Sequence, residues 1–247
     1  GKLVVTASDS EVVATIAGHN KTVEYNGLEQ SVEGYDFKAS NSLYEEGDFA
    51  FSGAAVAKGT NVGTYNMNLA SEQFANKSGN FSKVTFAVTD GTLTITPKSI
   101  VPNPENPDNT MTVDSPADIV YNGQDQTWMP IVKDGERTLE RGKDYAVEYS
   151  TADRTNVTGE IKVTISGIGN YSGKVERTYQ ITKRAVDLKS EGGSKPYDGT
   201  ALVKPEVSGW QQQGDTGFVT GEVSNVRATG SVTTVAQGEV TNSIAYD

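Results

Sequence analysis

The chain has 247 residues, a formal net charge of −11, one histidine and no cysteine. Disulfides, thiolate metal sites and cysteine nucleophiles are therefore excluded, and the acidic balance argues against nucleic acid or bare membrane as a partner. Hydrophobic residues are 35% of the chain, under the ~45–50% of an average globular domain, so thin cores are expected, while 26 Gly, 11 Tyr and recurrent Val, Thr and Asn predict an all-β protein rich in turns.

In chain order, Gly1-Lys2-Leu3-Val4-Val5-Thr6 reads as the closing strand of a preceding repeat, residues 1–9, because it echoes Gly91-Thr92-Leu93-Thr94-Ile95-Thr96. Residues 10–99 read as a first β module. It holds the turn Val23-Glu24-Tyr25-Asn26-Gly27 and alternating strands at Val84-Thr85-Phe86-Ala87-Val88 and Leu93-Thr94-Ile95. The only helical expectation is one short turn around Ala70 to Phe74. Tyr35, Tyr44 and Tyr65 are expected in a sandwich with their hydroxyls at its rim.

Residues 100–110 read as a Pro-rich linker. Pro97, Pro102, Pro104 and Pro107 fall close together, which predicts extended polyproline II geometry and a semi-rigid spacer. Residues 111–184 form a second module, with Ile119-Val120-Tyr121-Asn122-Gly123, a core Trp128, alternating strands at Tyr145 to Tyr149 and Ile161 to Ile165, and a closing strand at Thr178-Tyr179-Gln180-Ile181-Thr182. Residues 185–247 form a third module, C-terminally truncated, with Lys195-Pro196-Tyr197-Asp198-Gly199 and an insert at Trp210-Gln211-Gln212-Gln213-Gly214-Asp215. The short junction at Lys183-Arg184 predicts tighter coupling between the second and third modules than between the first two.

The repeated signature is thus Tyr25-Asn26-Gly27, Tyr121-Asn122-Gly123 and Tyr197-Asp198-Gly199, spaced by 96 and 76 residues. Asn-Gly and Asp-Gly supply the positive φ of tight hairpin turns, and the tyrosine before them packs its ring inward while its hydroxyl stays wet. An unfinished third module leaves an open sheet edge. The chain is expected to be a monomer, with strand exchange between truncated ends in which Leu3 to Thr6 of one molecule completes the third module of a neighbour.

These residues resemble the MBG (mostly beta, glycine-rich) or YDG repeats, which occur in series in large surface proteins of Gram-positive bacteria. The second module is also similar to bacterial immunoglobulin-like repeats, through Tyr121-Asn122-Gly123 and Gly167-Ile168-Gly169-Asn170-Tyr171-Ser172-Gly173. The resemblance implies tandem immunoglobulin-like, mostly-β sandwich modules arranged end to end on the outside of a bacterial cell wall. It carries no catalytic or ligand residues to transfer.

Chemistry finds little support in the residues. A hydrolytic triad would have to use His19, in the loop-like Gly18-His19-Asn20-Lys21, and no nucleophile motif accompanies any serine. Glu45-Glu46-Gly47-Asp48 is the densest acidic run and reads as a solvated loop. Interdomain calcium would draw on Glu105, Asp108 and Asp118, which read as exposed linker charges, so no cofactor or metal is expected. Intramolecular Lys–Asn isopeptide bonds, common in exported Gram-positive proteins, would need a buried lysine, and the sequence selects no pair.

The chain therefore reads as a non-catalytic stalk or spacer of an adhesin-like surface protein. The competing reading is direct binding of a host protein such as an immunoglobulin or mucin, or of a glycan, with Trp210 and Gln212 as the ligand contact. A carbohydrate-active enzyme accessory region stands a distant third.

Overall fold

The β-branched Val12, Val13, Thr15 and Ile16 favour extended backbone, and burial alternates along the strand Val12–Gly18, leaving one dry face on which Val12, Ala14 and Ile16 are completely buried. A computed structural model describes residues 1–247 in full. It is all-β, 39% strand and 4% helix, the latter confined to three 3₁₀ turns. The strands form eleven sheets, none wider than three strands. The chain divides into two compact units: residues 1–112, 133–146 and 166–174 form one, and residues 113–132, 147–165 and 175–247 the other.

In the first unit Val12–Gly18 lies between Tyr35–Ala39, antiparallel, and Val84–Thr89, parallel. A second sheet places Thr92–Thr96 between Lys21–Glu24, parallel, and Gly63–Asn66, antiparallel. The chain passes from the first sheet to the second twice, at Gly18 and at Gly91. Their backbones meet there, since a Cβ on Gly18 would lie 2.3 Å from the Gly91 nitrogen, which is why neither position carries a side chain.

An aromatic cluster closes this core. Tyr44, Phe49, Phe74 and Phe81 are buried, with Tyr35, Phe37, Phe51 and Phe86 packed against them. Ring pairs such as Phe51–Phe74, 4.6 Å between centroids and nearly parallel, and Tyr44–Phe81, edge-on at 5.5 Å, add directional contacts to the burial. The helical turn expected near Ala70 is Ser71–Gln73.

The proline-rich stretch is not polyproline II. Asn103, Asn106 and Asn109 each turn the chain, their side-chain oxygens accepting the N–H groups of Glu105, Asp108 and Met111 at 3.0–3.1 Å. Two backbone turns run through the same residues, Asn106 N–H to Asn103 and Asn109 N–H to Asn106. Asparagine supplies local hydrogen bonds that the polyproline conformation lacks, and spaced every third residue it decides the geometry. Ile100, just before, is fully buried.

In the second unit Ile119–Val120 pairs in parallel with Ile181–Thr182. Trp128, expected in the core, is half-buried, and its carbonyl accepts the Tyr149 hydroxyl at 2.6 Å. From residue 185 onward the strands shrink to two residues each: Lys189–Ser190 with Val207–Ser208, Leu202–Val203 with Ser231–Val232, and Arg227–Ala228 with Ile244–Ala245. Ala228 is the one hydrophobic residue of this stretch that is buried. At the other end residues 1–7 form no strand, and Leu3, Val4 and Val5 are exposed.

Candidate functional site

The three signatures fold alike locally. Gly27, Gly123 and Gly199 have φ of +79°, +75° and +80°, a backbone that glycine adopts without steric cost. Before each glycine, Asn26, Asn122 or Asp198 accepts the N–H two residues on, from Leu28, Gln124 or Thr200, at 2.9 Å in every case. The expected hairpin does not form. A type I′ turn needs positive φ at both central residues, and neither Asn26, Asn122 nor Asp198 has it. The first turn instead carries the chain between sheets, from Lys21–Glu24, paired with Thr92–Thr96, to Gln30–Glu33, paired with Val56–Gly59.

The first two copies share more than the turn. The Tyr25 N–H donates to the Thr96 carbonyl at 2.9 Å, and the Tyr121 N–H to the Thr182 carbonyl at 3.0 Å. The Thr96 hydroxyl reaches the Val23 carbonyl at 3.2 Å, and the Thr182 hydroxyl reaches that of Ile119 at 3.3 Å. Leu93 and Ile95, and likewise Tyr179 and Ile181, are buried on the inner face of the pairing strand. The third copy has no such strand. Residues 191–198 are irregular, and Tyr197 is 69% exposed where Tyr25 is 6%.

Neither of the first two tyrosine hydroxyls is left to water. Within the first unit Arg137 Nη1 donates to the Tyr25 hydroxyl at 3.3 Å and Nη2 to Asp144 at 3.2 Å, the latter a carboxylate only 3% exposed. The Tyr25 ring meets Tyr171 edge-on at 5.5 Å. Tyr171 donates to Asp134 at 3.3 Å, and Asp134 also holds the Lys98 ammonium at 2.7 Å and the Thr110 hydroxyl. Burial, then the neighbouring Asp134 charge, lifts the Tyr171 phenol far above its usual range, so it remains a donor. Burial alone would raise Asp134, but the hydrogen bonds from Lys98 and Thr110 outweigh it and hold the carboxyl below its usual range. Lys98–Ser99 pairs with Tyr171–Ser172, and Asn170 bonds to Asn61 at 2.9 Å and to the Val62 N–H at 2.8 Å.

In the second unit Tyr121 donates to Glu222, which, with burial second, raises the phenol above its ordinary value. Arg184 gathers the loop beyond it: Nε donates to the Gly217 carbonyl at 2.6 Å, Nη2 to that of Thr216 at 2.8 Å and to Gly214, and Nη1 to that of Tyr121 at 3.2 Å. This loop carries Trp210 and Gln212. Trp210 is half-buried, with its carbonyl accepting the Phe218 N–H at 2.9 Å. The Gln212 side-chain oxygen accepts both the N–H and the hydroxyl of Thr220 at 3.0 Å, so it braces the loop.

Arg137, Asp144, Arg184 and Glu222 were not singled out as functional by sequence reasoning. Arg184 lies at the junction expected between the second and third modules, and Tyr171 in the run Gly167-Ile168-Gly169-Asn170-Tyr171. Arg137 and Glu222 lie 112 and 101 residues from the tyrosines they touch and carry no local signal.

An open cleft of about 790 Å³ lies in the third stretch, lined by Gly192 to Tyr197, Leu202, Val232 and Val240. Elsewhere the acidic run Glu46–Asp48 is a 3₁₀ turn whose Asp48 carboxylate accepts the Glu45 N–H at 2.9 Å. His19 bridges the Glu33 carbonyl at 2.8 Å and Asp36 at 3.3 Å, with no serine in the arrangement. Glu105, Asp108 and Asp118 are exposed, and no group of three or more His, Cys, Asp or Glu side chains is gathered as a metal site. The sequence matches no family model, no curated protein and no solved structure.

Proposed function

We propose that the chain is a non-catalytic repeat region of a bacterial cell-surface, adhesin-like protein, acting as a stalk or spacer built of tandem immunoglobulin-like modules. The observation that carries this reading is the use made of the signature tyrosines. Tyr25 is held by Arg137 and Tyr171, which the sequence reads as part of the second module and which share a compact unit with Tyr25, and Tyr121 by Glu222, read as part of the third and sharing a unit with Tyr121. A turn that recurs once per repeat and whose hydroxyl bonds to the next repeat is a coupling device, and a spacer needs little else. The acidic surface suits such a role by keeping the chain soluble and non-adherent. The resemblance to MBG/YDG repeats supports an extracellular, wall-associated setting.

The test is binding of the full chain to an array of host glycans, mucins, immunoglobulins and matrix proteins. A stalk gives no saturable binding. Saturable binding that falls on Trp210→Ala would replace the stalk with direct host recognition.

A further inference from the structure

Within residues 10–99 the entering and leaving strands lie side by side and run the same way. One parallel ladder goes from Val12 opposite Val84 to Ala17 opposite Thr89, and a second, in the other sheet, from Lys21 opposite Leu93 to Glu24 opposite Thr96. The register survives the change of sheet, since in both ladders the partner lies 72 residues on. Where the ladders break, the backbones of Gly18 and Gly91 touch, and Asn20 bridges the gap with the same spacing of 72. Its side-chain oxygen accepts the Thr92 N–H at 2.9 Å and the Thr92 hydroxyl at 2.8 Å. Val12, Ala14, Ile16, Leu93 and Ile95 keep one side of this seam dry.

We propose that the seam is a mechanical clamp, and that residues 10–99 carry tension along the chain. The chain enters the seam at Val12 and leaves it at Thr96, so a pull on the two flanks drags the paired strands past each other along their length. Bonds spaced evenly along a parallel ladder are then loaded together, and none opens before its neighbours. The antiparallel pair of Val12–Gly18 with Tyr35–Ala39 lies off this path. Yielding under force is governed by the unfolding rate, which a seam that must fail all at once keeps low. With no cysteine in the chain, no disulfide limits extension and the ladders bear the load.

Within the second unit the same device is built partly from side chains. Ile119–Val120 pairs in parallel with Ile181–Thr182. Ahead of that short ladder the Arg177 guanidinium donates to the Val113 carbonyl at 3.2 Å and the Asp114 carbonyl at 3.1 Å. The Gln180 N–H and side-chain amide each donate to the Asp118 carboxylate at 3.0 Å. Side chains thus bind the two strands where main-chain pairing stops. The clamp rests on the stalk reading for its purpose, because a stalk serves only while it resists being drawn out.

The experiment is single-molecule force spectroscopy of the full chain at one pulling rate, with handles on two introduced cysteines. Ser10→Cys with Pro97→Cys loads the seam along its length. Ser10→Cys with Ser42→Cys pulls the antiparallel pair apart from one end, where the Ser40 N–H bonds to the Val13 carbonyl. All three positions are exposed, so both double variants keep the fold. The first pair should rupture at a force roughly twofold or more above the second. Asn20→Ala, also at an exposed position, should lower the first force and leave the second unchanged. A first force equal to or below the second, or one indifferent to Asn20→Ala, would overturn the clamp. Those outcomes leave the stalk reading to the host-ligand array, so either can fail alone.

Discussion

Residues 10–99 and residues 185–247 share a signature turn yet reach opposite degrees of closure. The first stretch buries Val12, Ala14 and Ile16 beneath a cluster of aromatic rings and buries Leu93 and Ile95 in its second sheet, whereas residues 185–247 bury no hydrophobic side chain larger than Ala228. The turns are alike in φ and in the Asx hydrogen bond, so the turn does not make the core. What the first stretch has and the second lacks is a strand pairing with the residues before the tyrosine. An all-β chain of this thin composition, built of sheets no wider than three strands, depends on every strand, since losing one removes its ladder and also the two apolar residues it carries inward.

The comparison can be broken first by cutting side chains. Phe49→Ala, in the closed core, should cost about 3–5 kcal/mol, read as a lower urea midpoint. Val232→Ala, in the open stretch, should stay within about 1 kcal/mol. Equal losses would mean that the two stretches are closed alike.

Next in size is the coupling at Tyr25. Arg137→Ala leaves the Asp144 carboxylate buried without its cation, and a loss of about 1–3 kcal/mol is expected by chemical denaturation. Arg137→Lys should restore part of it, since the ammonium keeps the charge but not the fork that reaches both Tyr25 and Asp144.

The smallest effect is a pH dependence confined to the first stretch. The hydrogen bond to the Glu33 carbonyl, then that with Asp36, raises His19 above its ordinary 6.5. The protonated imidazole is thus favoured by folding. Its contribution is complete below the unfolded value and is lost as pH rises through the higher folded value. An NMR titration of the single histidine should show the raised midpoint, and Asp36→Asn should bring it back toward 6.5.

Much of the strand pattern was legible in the sequence. Val84–Thr89 and Ile161–Gly167 follow the alternation that predicts them, because a half-buried strand imposes period two on its residues. The left-handed glycines were legible too. The hairpin reading failed because Asn-Gly specifies a local bend and says nothing of which strands flank it. The polyproline reading failed because three asparagines outcompete four prolines. The wet hydroxyl expected of the signature tyrosine is bonded in Tyr25 and Tyr121, since Arg137 and Glu222 come from distant sequence. The closing strand expected at Leu3 to Thr6 is not formed, since residues 1–7 lie in no strand, and the bonds made by the threonines of the other two, Thr96 to Val23 and Thr182 to Ile119, needed coordinates.

The most direct measurement is amide hydrogen exchange at the three signature tyrosines, at a concentration where the chain is monomeric. The N–H groups of Tyr25 and Tyr121, each bonded to a threonine carbonyl, should be strongly protected, and that of Tyr197 should exchange nearly as fast as an unfolded amide. Protection of Tyr197 equal to that of the other two would contradict the account, because its strand would already have a partner.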